Sequence, residues 1–111
     1  MLAFLDIGPV SKGHTLIIPK EHYQTMMDLP DDLLCEAIKA TKKIATAVMK
    51  AVEAGGISIS NSNYAAAGQV VPHAHFHVMP RHANDGLKHW PQQKYLDNEM
   101  ETYAEKIRKY L

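Results

Sequence analysis

"VVPHAHFHVMPR", residues 70–81, places His73, His75 and His77 at alternate positions. Strict alternation is the period of a β-strand, in which residues i, i+2 and i+4 share one face. The stretch therefore predicts a strand with three imidazoles on one side and Ala74, Phe76 and Val78 on the other. The apolar side suits a core. The imidazole side carries polar groups that must be solvated or satisfied.

Working outward, Ala65-Ala66-Ala67-Gly68-Gln69 is a loop of small side chains that can bring backbone N–H groups close to an anion. Upstream of it, Ile57 and Ile59 alternate with Ser58 and Ser60 in a second strand. Leu33, Leu34, Ala37, Ile38, Thr41, Ile44, Ala45, Val48, Met49 and Val52 recur at helical spacing and predict a long amphipathic helix. Asp31 and Asp32 after Pro30 favour its start, and Gly55-Gly56 is expected to end it. Residues 2–6 and 14–18 read as two further strands separated by turns at Gly8-Pro9 and Ser11-Lys12-Gly13, and residues 21–27 as a short helical turn. Residues 98–110 read as a final helix with Met100, Tyr103, Ala104 and Ile107 on one face. This order predicts an α+β class, with the long helix on one face of a mainly antiparallel sheet.

The 111 residues, 46% hydrophobic, suit one domain over residues 1–111. A net charge of +0 gives no broad basic face, so nucleic acid is not an expected partner and an anionic ligand must be held locally. No apolar run approaches the roughly 20 residues of a membrane span, and MLAFLDIGPV lacks the basic region of a signal peptide. A cytoplasmic protein without a membrane partner is expected. The single cysteine, Cys35, excludes an internal disulfide and a cysteine metal cluster.

Neighbouring side chains in the histidine row lie about 6.5–7 Å apart at the backbone. His75 has a potential partner on each side, which marks it as the reactive member. Crowding by two other imidazoles disfavours its protonation. A neutral imidazole is a nucleophile, and its neighbours can hydrogen-bond an oxyanion or a leaving group. Metal binding is the rival use of the row, because His-x-His on a strand can supply two ligands to zinc. A merely structural set of histidines is the third reading.

Two stretches carry a family resemblance. "AGQVVPHAHFHVMPR" (67–81) resembles the defining motif of the histidine triad (HIT) superfamily, and "LAFLDIGPVSKGHTLIIPKEHY" (2–23) is similar to that family's N-terminal half-site. His89-Trp90-Pro91 resembles the Hint-like branch. The resemblance implies a HIT-like fold and a nucleotidyl hydrolase or transferase. Such an enzyme cleaves a nucleoside 5'-monophosphate unit from phosphoramidates or dinucleoside polyphosphates through a covalent nucleotidyl-histidine. Carried over, His75 is the nucleophile, His77 contacts the phosphoryl and leaving-group oxygens, and His73 and His14 orient and polarise the triad. Asp6 matches the ribose-binding carboxylate, Phe4 and Ile7 the residues that hold the base, and Gly68 and Gln69 the phosphate loop. The implied partner is a purine nucleoside monophosphate derivative, with no metal or other cofactor, and the implied assembly is a homodimer.

The chain departs from the pattern twice. Ser62, flanked by Asn61 and Asn63, stands where relatives carry an amide, so either Ser62 or a neighbouring asparagine, Asn61 or Asn63, is expected at the phosphate. Relatives also commonly have a segment before the strand that begins at Leu2, which bears on base selectivity. Two other readings stay open on sequence alone: a non-catalytic nucleotide-binding module of the same fold, and a metal protein using the histidine row.

Overall fold

The computed structural model describes residues 1–111. Four strands, β1 (Leu2–Leu5), β2 (Thr15–Ile18), β3 (Gly56–Ser60) and β4 (Phe76–Arg81), form one antiparallel sheet in the order β1-β2-β4-β3. The long helix α1 (Asp31–Ala51) lies between β2 and β3 in the chain, and α2 (Glu99–Arg108) follows β4. Short 3-10 turns occupy Met26–Asp28 and Ala65–Ala67. The α+β class and the antiparallel sheet expected from the sequence are present. No helix is long and apolar enough to cross a membrane.

Small side chains let α1 approach the sheet closely: Ala37, Thr41 and Ala45 are its buried residues. Thr41 satisfies its hydroxyl within the helix by donating to the Ala37 carbonyl at 2.8 Å. Opposite them, Ile17, Phe76 and Val78 fill the core, with Leu29 and Ala74 at its margin. Ile17 and Val78 have no exposed surface, and burying each contributes roughly 1.5–3 kcal/mol. Gly13 closes the turn before β2 at φ 100°, a backbone conformation that favours glycine, and a Cβ there would crowd Val52 Cγ1 at 3.2 Å.

The histidine strand starts later than its alternation predicts. Burial alternates from Ala74 to Arg81, but ladder pairing begins only at Phe76. Upstream, the backbone is engaged elsewhere: His73 N–H donates to the Val71 carbonyl at 2.8 Å and Ala74 N–H to the Tyr23 carbonyl at 2.7 Å.

The end of α1 also differs from the expectation at Gly55-Gly56. The left-handed residue is Glu53, at φ 50°, while the Ala54 N–H closes onto the Met49 carbonyl at 3.0 Å and the Glu53 N–H onto Lys50 at 3.3 Å. These are the two bonds of a Schellman motif, completed with glutamate where glycine is favoured. Gly55 is already committed to the sheet, its N–H donating to the Arg81 carbonyl at 3.0 Å. The C-terminal helix is present, but none of its residues is buried, and Met100, Tyr103 and Ile107 are exposed.

Candidate active site

With α1 on one face of the sheet, the other face is open, and His77 lies near its middle. Cross-strand register sets His77 between Leu16 on β2 and Ser60 on β3. Phe4 on β1 pairs with Leu16 and continues the same face toward the sheet edge. Asp6 follows β1 and extends its pairing, its N–H donating to the His14 carbonyl at 2.9 Å.

The hydrogen-bond partners assign the imidazole tautomers one by one. The Val10 N–H donates to His14 Nδ1 at 3.1 Å, so neutral His14 carries its proton on Nε2. That N–H donates to His77 Nδ1 at 2.8 Å, which leaves the His77 proton on Nε2. His75 Nδ1 sits 2.7 Å from the His73 carbonyl oxygen. A carbonyl only accepts, so the His75 proton is on Nδ1 and the neutral ring has its lone pair at Nε2. The His75 and His77 rings are in contact, with centroids 4.9 Å apart. A ring with a bare nitrogen thus touches a ring with an N–H, and both line one pocket: one can act as a nucleophile and the other as a hydrogen-bond donor.

The rings do not form the row that alternation suggests. Their order is His14–His77–His75, with His14 and His77 centroids 5.1 Å apart. The His73 ring turns elsewhere: its Nε2–H donates to the Pro19 carbonyl at 2.9 Å, and its Nδ1 accepts from His22 at 3.2 Å. Residue 73 lies in the loop before β4, where strand alternation no longer fixes side-chain direction. The crowded imidazole is thus His77 rather than His75. Burial pushes the His77 pKa down, and His75 and His14 add to the effect, while Asp6 opposes it. Burial likewise lowers His14 against the pull of Asp6.

The residues expected at a phosphate divide into bonded and free. Gln69 is buried, and its carboxamide accepts from Tyr64 N–H at 2.7 Å and donates to the carbonyls of Gln24 at 2.7 Å and Val71 at 3.0 Å. It shapes the loop and has no donor left for a ligand. The clamp holds Tyr64 at φ 69°, ψ 159°, a conformation strained for any residue but glycine. Gly68 follows at φ 96° with open space around it.

Asn63 Oδ1 accepts from Met26 N–H at 2.8 Å, and its Nδ2 donates to Asn61 Oδ1 at 2.6 Å. Asn61 Nδ2 in turn donates to the His75 carbonyl at 2.9 Å, replacing the ladder partner that His75 lacks. Of the three adjacent polar side chains, Ser62 alone makes no hydrogen bond within the chain. Sequence reasoning missed His22 and the bridging role of Asn61, since neither has a periodic signal.

Phe4, Asp6, Ile7, Leu16, Gly68, His75 and His77 line one open pocket of about 490 Å³. Its apolar walls and few polar groups match a small-molecule site. One Asp6 oxygen accepts from Gly8 N–H at 2.8 Å, and the other lies 3.8 Å from His14 Nε2. The alternating histidines do not gather ligand atoms for a metal. The set that does converge is Asp6, His14 and His77, within 4.8 Å. There the two imidazole nitrogens are bonded to each other at 2.8 Å, closer than the roughly 3.3 Å that two tetrahedral zinc ligands adopt.

Comparison with known proteins agrees with this architecture. The HIT domain family model matches residues 1–84. An uncharacterized HIT-like protein of Methanocaldococcus jannaschii is 50% identical over 86 residues, covering 78% of this chain and 66% of that protein. An adenosine 5'-monophosphoramidase of Schizosaccharomyces pombe is 37% identical over 108 residues, covering 96% of this chain and 78% of the relative. Among solved structures, a HIT family member from Bacillus subtilis superposes with a TM-score of 0.88 at 36% identity, covering 98% of this chain and 80% of that one. Fold, histidine placement and both halves of the motif converge, and the chain belongs to the HIT domain family.

Proposed function

We propose that the chain is a nucleotide hydrolase that releases a nucleoside 5'-monophosphate from a phosphoramidate through a covalent intermediate on His75. One observation carries the reading: the His75 ring, with its lone pair at Nε2, touches the His77 ring, with its proton at Nε2, and both line one open pocket. His75 Nε2 attacks phosphorus and the P–N bond breaks. His77 hydrogen-bonds the phosphoryl oxygen, and its Nε2 proton passes to the departing nitrogen, which takes the P–N electron pair and leaves as the amine. Bonding of Nε2 to phosphorus makes the His75 ring cationic, and the His73 carbonyl, accepting from Nδ1–H, stabilises that charge. Water then attacks phosphorus and gives a proton back to His77 Nε2; the new P–O bond replaces the P–N bond to His75, whose electron pair returns to Nε2.

In this reading Asp6 accepts from the ribose hydroxyls, Phe4 and Ile7 hold a purine base, and the phosphate rests against Gly68 and Ser62. Gln69 and Asn63 act through the loop they brace. The matched relative named an adenosine 5'-monophosphoramidase supports the phosphoramidate class; dinucleoside polyphosphates present the same α-phosphorus with an oxygen leaving group.

The test is turnover of adenosine 5'-phosphoramidate by wild type and His75→Ala, with chelator present. Activity in wild type alone is expected, and equal turnover by the variant overturns the reading.

A homodimer completes the proposal. β3 is an edge strand, and beside it Ile38, Ala45, Met49, Ile57 and Ile59 line an apolar groove of about 310 Å³. Such an edge with an apolar flank suits pairing with a second copy. Light scattering is expected to give twice the 12.4 kDa chain mass, and a monomer mass refutes the pairing.

A further inference from the structure

His75 precedes the β4 ladder, and no strand residue pairs with it. Its carbonyl is held instead by a side chain, Asn61 Nδ2, at 2.9 Å. Asn61 Oδ1 accepts from Asn63 Nδ2 at 2.6 Å, and Asn63 Oδ1 accepts from Met26 N–H at 2.8 Å. The two carboxamides form a relay from the start of the Met26–Asp28 turn to the main chain of a pocket histidine.

The ends of the relay fix its direction. A backbone N–H only donates, and a carbonyl only accepts. Each group between them must accept on the Met26 side and donate on the His75 side. A carboxamide does both. A carboxylate has the same shape but only accepts. Turning either amide over would set oxygen against oxygen at one of its junctions and N–H against N–H at the other.

The relay governs two parts of the site together. Ser62 lies between the two amides in the chain, so both of its neighbours are tied. On the other side of the relay is the His75 main chain. Further bonds fasten both parts to the same stretch: Gln69 Nε2 donates to the Gln24 carbonyl at 2.7 Å, and Ala74 N–H to the Tyr23 carbonyl at 2.7 Å. Residues 23–26 are a common anchor for the loop that carries Ser62 and for the segment that carries His75.

Resting on the nucleotide-hydrolase reading, we infer that Asn61 and Asn63 are positioning residues, which set the spacing between His75 and the phosphate held at Ser62. Both act through the main chain and through each other. Misplacing a reacting group by about 1 Å can cost on the order of 100-fold in rate. Because the nucleoside pocket is left intact, the loss falls on kcat and spares KM.

The experiment measures kcat and KM on adenosine 5'-phosphoramidate, with unfolding midpoints, for wild type, Asn61→Ala, Asn63→Asp and the double variant. Asn61→Ala should lower kcat about 100-fold while KM stays within about twofold of wild type. Asn63→Asp keeps the bond to Met26 but sets a carboxylate oxygen against Asn61 Oδ1, and should lower kcat about tenfold. Added to Asn61→Ala it should cost less than about twofold more, because the relay is already cut. A new negative charge acting directly on the anionic substrate would instead lower the rate equally in both backgrounds. That additive result overturns the relay, and so does a loss in Asn61→Ala that appears only in KM or in the unfolding midpoint. If Asn61→Ala does not fold, Asn63→Asp alone decides, and kcat equal to wild type overturns the relay. Wild-type turnover keeps the hydrolase reading intact in each of these cases, whereas its absence overturns both.

Discussion

Along β4, Phe76, Val78 and Pro80 turn toward α1 and are buried, whereas His77, Met79 and Arg81 turn the other way and stay half-buried. One face is filled by apolar side chains packed on α1, whose buried Thr41 hydroxyl is satisfied within the helix. The other carries an imidazole whose every proton is placed by a neighbour, from Val10 through His14 to His77. A period of two separates the residues that hold the fold from those that present chemistry, although they are adjacent in sequence. Substitutions one position apart should therefore fail in different ways.

The largest contrast is expected from His75→Ala. Removing the proposed nucleophile should lower kcat on the order of 10⁴-fold with little change in thermal stability or nucleotide affinity. A comparable loss of stability would mean that the two faces are not separate.

Val78→Ala is the converse. Deleting methyls from a fully buried site should cost about 2 kcal/mol and lower the unfolding midpoint by roughly 10 °C, with kcat per folded molecule preserved. Calorimetry alongside active-site-normalised kinetics checks this.

pH acts on the histidine face alone. Burial holds the folded-state pKa values of His77 and His14 below the ordinary 6.5. The unfolded chain therefore binds more protons than the folded one around and below that pH. This stabilising contribution is complete above pH 6.5 and is lost as pH falls through the folded-state values. Thermal unfolding followed from pH 7.5 to 5 should show a falling midpoint in wild type and a flatter profile in His77→Asn, while Val78→Ala shifts the profile without flattening it.

The smallest effect lies off both faces. Glu53→Gly places the residue favoured at φ 50° into an otherwise complete helix end and should add about 1 kcal/mol of stability with kcat unaltered. Chemical denaturation resolves a shift of that size.

What was legible in the sequence follows the same division. The histidine alternation from residue 73 and the 3.6-residue period of α1 are local, repeated signals, and both elements form, although the strand begins only at Phe76, after His73 and His75. The direction of the His73 ring was not legible, because its partners are Pro19 and His22, more than fifty residues away and without a pattern. Nor was the choice among Asn61, Ser62 and Asn63. Three neighbouring polar side chains look alike until Met26 N–H and the His75 carbonyl engage the two asparagines. The end of α1 was misplaced at a glycine pair because composition marks the favoured residue. The Ala54 N–H and the Gly55 pairing to Arg81 set the actual position.

The acceptor that sets the proton of His75 is the carbonyl of residue 73, and every amino acid has one. No codon change at that position deletes it, so a saturation screen of residue 73 samples only the ring and its bonds to Pro19 and His22. Selection at position 73 can act on loop anchoring while leaving the tautomer of the neighbouring nucleophile in place. Exposing that backbone group takes chemical synthesis: an ester in place of the 73–74 amide weakens the carbonyl as an acceptor while leaving every side chain as it is.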